Sequence, residues 1–448
     1  MTRIAIGNLT EPEETGWLNL NEGAMPEALT DALWEPGNAI GPELEERITL
    51  ALRGTHAQVE ALLRQLNAFT SAVERERSGR GGSPRYLRAW REEDSAWYYS
   101  RVLAARLEGL PSYLESYARG SLALALILRR ENHFSSAELP LPLSNRSVSN
   151  TFFPLTLSNH CDADATHDNF FSIFTPNLAG VDAPAPLRVE IGNPSGQGAL
   201  GELYLGGYNL SGAGLQPNLT LQAEAGSGGE SVSSALASGG SYSRYSWSGS
   251  AWQSLTSWVV DRTTLAQLTG WGLLPLLRFF SLPEEGLRLR LLIGVAGSAA
   301  LEGPAAVCTA GQGFTALAPI HLPCGQLPGK VYPHAHTLTL QALMPSDLNH
   351  TLELDDLLLL PDEPYAHFLS AGGLAEGGTL VQDTFASLSY SLLNGQELAT
   401  HQCLGGGLFL HPGIETRIYA FAAGGDGLAS PSRTLTARAF YRKRRRLP

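Results

Sequence analysis

Residues 44–73 read LEERITLALRGTHAQVEALLRQLNAFTSAV and define the start of the fold. Leu44 to Leu52 alternates apolar and polar side chains, which predicts a strand with Ile48, Leu50 and Leu52 on one face. Thr55 and Gln58 have the spacing of a capping box, in which each side chain satisfies an exposed backbone N–H group. The next apolar residues recur at helical period and predict one buried stripe: Val59, Leu62, Leu63, Leu66, Phe69 and Val73.

Three more strand patterns follow the predicted helix. After a Gly/Ser break at 78–83 come the runs Arg85–Trp90, Trp97–Leu107 and Leu122–Arg129. The expected arrangement is one helix covering one face of a small, mostly antiparallel sheet. This layout is typical of an assembly module, and the stretch contains no recognisable catalytic motif.

The order strand, helix, PRYLRAW (84–90), WYYSRVLAARLEGL (97–110) and GSLALALILRRENHF (120–134) resembles the tube-type domain of tailed-phage distal-tail and minor tail proteins. The resemblance covers roughly residues 1 to 137. It implies a strand-helix-sheet domain followed by a long β-rich extension. It also implies a virion tail protein, assembled in the bacterial cytoplasm, with other tail or baseplate subunits as partners. The alternative is an unrelated α+β domain fused to a β-sandwich.

Length and composition predict a mainly β protein of several domains. A chain of 448 residues exceeds the usual size of one domain. Charged residues make up 17%, while 48 Gly and 27 Pro indicate many turns. The net charge of −12 argues against a nucleic-acid coat. The basic run Arg442–Arg446 is the exception, and it either continues a strand end or forms a solvated tail that pairs with an acidic neighbour or with phosphates.

The domain prediction has three parts. Residues 1–137 form the α+β tail-tube-like assembly domain, and residues 150–352 form a jelly-roll-like antiparallel β-sandwich with short strands and frequent turns. Residues 353–448 form a further β region, either separate or closing the same sandwich. The Gly/Ser-rich segment 224–250 is interpreted as a long exposed loop or hairpin.

The cysteines and the hydropathy pattern exclude some classes. Cys161, Cys308, Cys324 and Cys403 lack the rhythm of a zinc site, and Cys308 with Cys324 form either a disulfide or free thiols. No signal peptide is recognised and no apolar run is long enough to span a bilayer, so neither export by the standard route nor a membrane partner is expected.

Two stretches of the sequence carry side chains at spacings that suit metal ligands. Asp162, Asp164 and Asp168 are spaced so that one loop can wrap a hard cation. The favoured interpretation is a polar surface loop without a cofactor, and a structural calcium is the alternative. His334 and His336 lie on the same face of a predicted strand, a spacing that can chelate a metal but is a weak signal alone.

Paired carboxylates do not predict an enzyme. Asp355-Asp356 and Asp362-Glu363 lie near predicted strand ends. Adjacent residues of a regular strand point to opposite faces, so Asp355 and Asp356 alone do not supply the geometry of a glycoside hydrolase. No nucleophile elbow, P-loop or dinucleotide fingerprint occurs in the sequence.

Aromatic residues are the remaining candidates for function. Tyr242, Tyr245, Trp247 and Trp252 lie in or beside the Gly/Ser-rich segment. They either fold back as core, contact a neighbouring subunit or stack on a surface glycan. The sequence therefore predicts a non-enzymatic tail subunit that self-assembles into rings, with a carbohydrate-binding module or adhesin as the alternative and a polysaccharide-cleaving enzyme last.

Overall fold

The structure is a computed structural model, and it describes much of the chain in separate stretches. These are residues 3–9, 16–21, 25–35, 42–80, 83–109, 122–161, 166–174, 183–210, 219–268, 272–295, 299–309, 311–322, 335–362, 365–413, 415–424 and 432–445. The chain forms two compact units. Unit 1 comprises Met1–Glu138, Gly180–Ala183 and Arg442–Pro448, and unit 2 comprises Leu139–Ala179 and Pro184–Tyr441.

Unit 1 contains one antiparallel sheet, called sheet 1, and one helix among its described residues. The elements in chain order are β1 (Ile4–Gly7), β2 (Trp17–Asn19), β3 (Leu29–Glu35), β4 (Glu43–Leu52), α1 (His56–Arg77), β5 (Tyr86–Arg91), β6 (Ala96–Glu108), β7 (Leu122–Glu131) and β8 (Phe134–Ser135). The strands lie in the order β2-β1-β5-β6-β7-β4-β3, with β8 paired to β6. The predicted strand-helix-sheet order is confirmed in this arrangement.

Helix α1 begins as the capping box predicts. The Thr55 hydroxyl accepts from the Gln58 backbone N–H, and the Gln58 side chain accepts from the Thr55 backbone N–H at 2.9 Å. The apolar stripe is buried in the same cluster as Ile48, Leu50 and Leu52 of β4. No helix in the described part of the chain is long and apolar enough to cross a membrane.

The C-terminal basic run packs within unit 1. Arg444–Arg445 forms a short strand that pairs antiparallel with β8. The Arg445 guanidinium lies 3.6 Å from the Asp94 carboxylate, and burial lowers the pKa of Arg444. For these two arginines the interpretation as a solvated tail is wrong, because strand pairing holds them against the sheet.

The described residues of unit 2 form β-strands, one short helix and a 3-10 turn at Ala223–Ala225. Its elements in chain order are β9 (Leu139–Leu141), β10 (Leu155–Ser158), β11 (Phe170–Phe174), β12 (Ala185–Gly192), β13 (Leu200–Leu210), β14 (Leu219–Gln222), β15 (Glu230–Ser233), β16 (Ser241–Ser248), β17 (Gln253–Val260), α2 (Arg262–Leu268), β18 (Gly272–Phe279), β19 (Arg288–Val295), β20 (Leu301–Glu302), β21 (Ala306–Val307), β22 (Phe314–Ala316), β23 (Ile320–His321), β24 (His336–Leu343), β25 (Asn349–Pro361), β26 (Tyr365–Leu374), β27 (Thr379–Asp383), β28 (Leu388–Leu393), β29 (Gln396–Thr400), β30 (Gln402–Leu404), β31 (Phe409–Leu410), β32 (Glu415–Gly424) and β33 (Thr434–Tyr441).

These strands form four antiparallel sheets. Sheet 2 has the order β10-β33-β12-β27-β28-β29, with β9 and β31 at its side, and sheet 3 has the order β11-β32-β13-β26-β30. Sheet 4 has the order β15-β16-β25-β18-β22, with β14 and β23 paired to its inner strands. Sheet 5 has the order β17-β24-β19-β20, with β21 paired to β19.

The central strands β18 and β25 of sheet 4 are buried on both faces. One face of β18 and β25, with Leu277 and Leu357, packs against Leu291 and Leu340 of sheet 5. The other face, with Leu276 and Leu358, packs against aromatic residues of sheet 3 such as Tyr419 and Phe421. Because consecutive side chains of a strand alternate between faces, a central strand in this position must be apolar almost throughout.

Strand pairing specifies the structure of two segments, residues 224–250 and the region after residue 353. Segment 224–250 was interpreted as a long exposed loop or hairpin, and β15 and β16 do form a hairpin inside sheet 4. Strands after residue 353 complete sheets begun earlier in the chain, since β27 and β33 both pair with β12, and β26 and β32 both pair with β13. The prediction of a mainly β chain with antiparallel sheets is confirmed.

Thr55→Ala should lower the free energy of unfolding of unit 1 by about 1 kcal/mol, because the first turn of α1 loses its side-chain acceptor. Urea unfolding followed by circular dichroism measures this change. Thr55→Ser keeps the hydroxyl and serves as the matched control. An equal loss in both variants would show that the cap is not the cause.

Candidate functional site

A β-bulge brings two carboxylates together on β25. Arg278 of β18 pairs with Asp356, but the next pair is Phe279 with Leu354, so Asp355 has no partner in the ladder. An extra residue of this kind turns its side chain away from the regular alternation. The expectation that Asp355 and Asp356 point to opposite faces is therefore wrong at this position.

Both carboxylates contact the same arginine. The Arg278 Nη1 atom lies 2.5 Å from Asp355 Oδ2 and 3.7 Å from Asp356 Oδ2. The Ser238 backbone N–H donates to both Asp355 oxygens at 3.1 and 3.2 Å, and its hydroxyl donates to Asp356 Oδ2 at 2.7 Å. All three ionisable side chains are buried, and both aspartates have no exposed surface.

The charges of this cluster do not balance if both carboxylates ionise. Burial raises the pKa of Asp356 well above its usual value, and the neighbouring Asp355 charge raises it further. Burial also raises the pKa of Asp355, while the Arg278 guanidinium opposes the rise. The favoured state is an Arg278–Asp355 ion pair beside a protonated Asp356.

The two carboxylates share a proton as those of a catalytic dyad do, but they are not accessible to a substrate. Two carboxylates with one proton are able to act as acid and base only if a substrate reaches them. Here the pair lies between packed sheets, where Arg278 and Ser238 contact both carboxylates. The arrangement therefore joins β18, β25 and the loop that carries Ser238.

Two of the four predicted aromatic contacts are core residues. The Tyr242 ring stacks on Phe280 with centroids 3.8 Å apart, and its hydroxyl donates to Glu353 at 3.3 Å. Tyr245 is buried in the cluster between sheets 4 and 5. Neither ring is available for stacking on a sugar, because Tyr242 is only 5% exposed and Tyr245 only 3% exposed.

Trp247 and Trp252 are partly exposed, and their predicted role in glycan or interface contact stays a prediction. Trp247 packs on the edge of the same cluster, with its ring 5.6 Å from that of His350. Trp252 precedes β17, and the Arg290 guanidinium lies over its ring at 4.2 Å. Sequence reasoning missed Arg290, because its contact with Trp252 depends on pairing between strands that are far apart in the chain.

The predicted calcium ligands are only partly described. Asp162 and Asp164 lie outside the described residues. Asp168 accepts hydrogen bonds from the backbone N–H of Ser147 at 3.1 Å and from its hydroxyl at 2.5 Å. Among the described residues no group of three His, Cys, Asp or Glu side chains is placed to hold a metal. The calcium site therefore stays a prediction.

The other predicted ligands and thiols are placed as follows. His334 and Cys324 lie outside the described residues, whereas His336 is buried on β24. The described cysteines, Cys161, Cys308 and Cys403, are free thiols. Burial raises the pKa of the Cys308 thiol to about 11, so it is protonated at neutral pH.

The loop held by Asp168 presents two exposed phenylalanines that sequence reasoning missed. Phe152 is 64% exposed and Phe153 is 80% exposed. Asn145 Oδ1 accepts from the backbone N–H groups of Ser147 and Val148 at 3.0 and 2.8 Å, which closes the turn. An apolar pair on a hydrogen-bonded loop is a candidate contact surface.

Comparisons with known proteins found only distant likenesses. No protein-family model matches the chain, and no curated protein matches it. A structure of the phage P2 baseplate in its activated conformation is similar over 96% of this chain and 100% of that chain, with 7% identity and a TM-score of 0.22. The VP2 subviral particle of infectious bursal disease virus matches over 58% of this chain, with 9% identity and a TM-score of 0.19. The match spans 65% of that capsid chain, less than two thirds of its length.

An exo-beta-1,3-galactanase from Phanerochaete chrysosporium, solved with galactose, matches over 77% of this chain and 92% of that chain. Its identity is 11% and its TM-score is 0.21. At TM-scores this low, none of the three likenesses supports an argument about function.

Stability should fall as pH rises because of Asp356. The folded state keeps a proton that the unfolded carboxyl loses near pH 4, so the free energy of unfolding decreases from about pH 4 towards the raised pKa. Asp356→Asn stays neutral at every pH and still accepts from Ser238. Its urea midpoint should therefore decrease less between about pH 5 and pH 8. Asp347→Asn, at an exposed position, is the control, and equal slopes in all three proteins would contradict the assignment.

Proposed function

We propose that the protein is a non-enzymatic structural subunit of a phage or phage-like tail, of the distal-tail or minor tail type. Unit 1 is the tube-type domain that self-assembles into rings, and unit 2 is displayed outside as a β-rich extension with jelly-roll-like sandwiches of facing sheets. Assembly takes place in the bacterial cytoplasm, with other tail or baseplate subunits as partners.

The order of elements in unit 1 carries this proposal. The resemblance rests on a strand, a capped helix and a hairpin followed by a return strand, and β4, α1, β5, β6 and β7 occur in that order. The extension that follows is built from strands, as the resemblance implies. A folded domain of this type supplies sheet edges through which identical copies associate.

Exposed edges and apolar side chains support self-association. Within the described residues, sheet 1 ends at β2 on one side and at β3 on the other. Unpaired strand edges are templates for further pairing, and identical neighbours cover them in closed assemblies. The exposed side chains of Leu33 on β3 and of Phe152 and Phe153 add apolar area of the kind that anchors protein interfaces.

The absence of an enzymatic role is part of the proposal. It is supported by the burial of the adjacent carboxylates of Asp355 and Asp356, which are bonded to Arg278 and Ser238. A polysaccharide-cleaving enzyme needs two carboxyls on either side of an open substrate groove.

The native mass of the protein should be that of a closed oligomer, such as a trimer or hexamer. Multi-angle light scattering on material from its source, or on a particle fraction, measures this mass. Co-purification with tubular particles would support the tail assignment. A clean monomer in the native setting would contradict it.

Phe153→Ser should weaken assembly without unfolding the chain. Loss of a central aromatic anchor typically costs about 2 kcal/mol of association energy or more, which is about 30-fold in a dissociation constant. Val259→Ser removes an equally exposed apolar side chain from sheet 5 and is the matched control. Light scattering at several concentrations measures the shift, and an unchanged mass in Phe153→Ser would remove this loop from the interface.

A further inference from the structure

The outward face of sheet 5 carries polar side chains, such as Gln341 and Arg290, beside apolar ones, such as Val259. The inward side chains of β17, β24 and β19, including Trp258, Leu340 and Leu291, pack in the core against sheet 4. The intervening residues point outward by strand alternation. Three of these, Ser254, Gln341 and Arg290, lie side by side because the register pairs Gln341 with both of the others.

These three side chains bond one another in a continuous row. The Gln341 amide nitrogen donates to Ser254 Oγ at 3.1 Å, and the Arg290 Nε atom donates to Gln341 Oε1 at 3.0 Å. The Arg290 Nη1 atom donates to Glu302 Oε2 of β20 at 2.6 Å. We call Ser254, Gln341, Arg290 and Glu302 the polar row. Mutual hydrogen bonds hold planar groups in place before any ligand arrives.

An indole ring adjoins the polar row. Trp252 is half-buried, and the Arg290 guanidinium lies over its ring at 4.2 Å from the centroid. The contact fixes both groups, because guanidinium and indole attract through cation–π interaction. Through this contact Trp252 lies beside the arginine of the polar row.

Charge decides which ligand fits this surface. The positive charge of Arg290 is matched by Glu302, so the four side chains of the polar row carry no net charge; the exposed Arg288, two residues earlier on β19, lies outside the row. Glu302 is largely exposed, so its carboxylate remains accessible to solvent and to ligand hydroxyls. A ligand that suits such a surface is uncharged, carries adjacent hydroxyl groups and has an apolar C–H face for the indole.

We propose that Trp252 and the polar row form a binding subsite for neutral saccharides. In this site the hydroxyls of a pyranose exchange hydrogen bonds with Gln341, Glu302 and Ser254, and its C–H face packs on Trp252. The sequence pointed to Trp252 alone; the other members come together only through pairing of β17, β24, β19 and β20. The site does not depend on the proposed tail assembly.

The same sheet face supplies its own control. Two rows away, Val259 pairs with Thr337 and Thr337 pairs with Gly294, so that row has no planar hydrogen-bonding group and no indole. Non-specific binding of a polymer to this face would involve both rows equally. A saccharide subsite involves only the polar row.

The test is affinity electrophoresis and isothermal titration calorimetry on the full chain. The neutral probes are laminarin, a β-galactan, a mannan and dextran, and alginate is the anionic comparator. We expect at least one neutral polymer to bind, with affinity reduced about tenfold or more in Trp252→Ala and in Gln341→Ala, the size of one lost contact. Thr337→Ala should bind as the unchanged protein does. Thermal unfolding midpoints verify that each variant is folded, and Gln341→Ala is decisive if Trp252→Ala does not fold.

Three results would overturn the proposal. They are no binding to any neutral polymer, binding to alginate alone, and equal affinity of Gln341→Ala and the unchanged protein. The native mass is measured separately, so failure of the glycan test and failure of the tail proposal are distinguishable.

Discussion

Burial of strands β18 and β25 of sheet 4 on both faces is the constraint on which unit 2 depends. The run Leu357–Leu360 provides side chains to two cores in alternation, with Leu357 and Leu359 towards sheet 5 and Leu358 and Leu360 towards sheet 3. Fully burying a leucine contributes about 2 kcal/mol. A polar residue in this run would face a packed sheet on either side, so the strand tolerates few substitutions.

The two aspartates beside that run show how such a strand accommodates charge. A regular ladder would direct Asp355 away from Arg278, towards the other core, while Asp356 lies opposite Arg278. The bulge at Asp355 brings this second carboxylate to Arg278 as well, and Ser238 supplies further donors. Removing Arg278 alone would leave two buried carboxylates, whereas the intact cluster needs only one extra proton.

Local patterns predicted unit 1 better than unit 2 for a physical reason. The cap at Thr55, the stripe of α1 and the alternation of β4 depend on neighbours within a few residues, and these elements are confirmed. The positions of Tyr242, Asp355 and Arg290 depend on partners 38 to 111 residues away in the chain or on a bulge. A Gly/Ser-rich composition does not reveal that β16 pairs with β25, and therefore two tyrosines assigned to an exposed segment are core.

The same constraint determines where binding can occur in unit 2. The inner strands of sheets 3 and 4 are covered on both faces: Tyr204 of sheet 3 faces sheet 4, while Leu203 and Phe368 line a small cavity with Leu380 of sheet 2. Inner strands therefore have no surface to offer a ligand, even where their residues are chemically reactive. Contact with other molecules is left to outward faces and to loops. Trp252 with the polar row and Phe152 with Phe153 occupy these two kinds of position, so the proposed saccharide contact and the proposed assembly contact use different residues of unit 2.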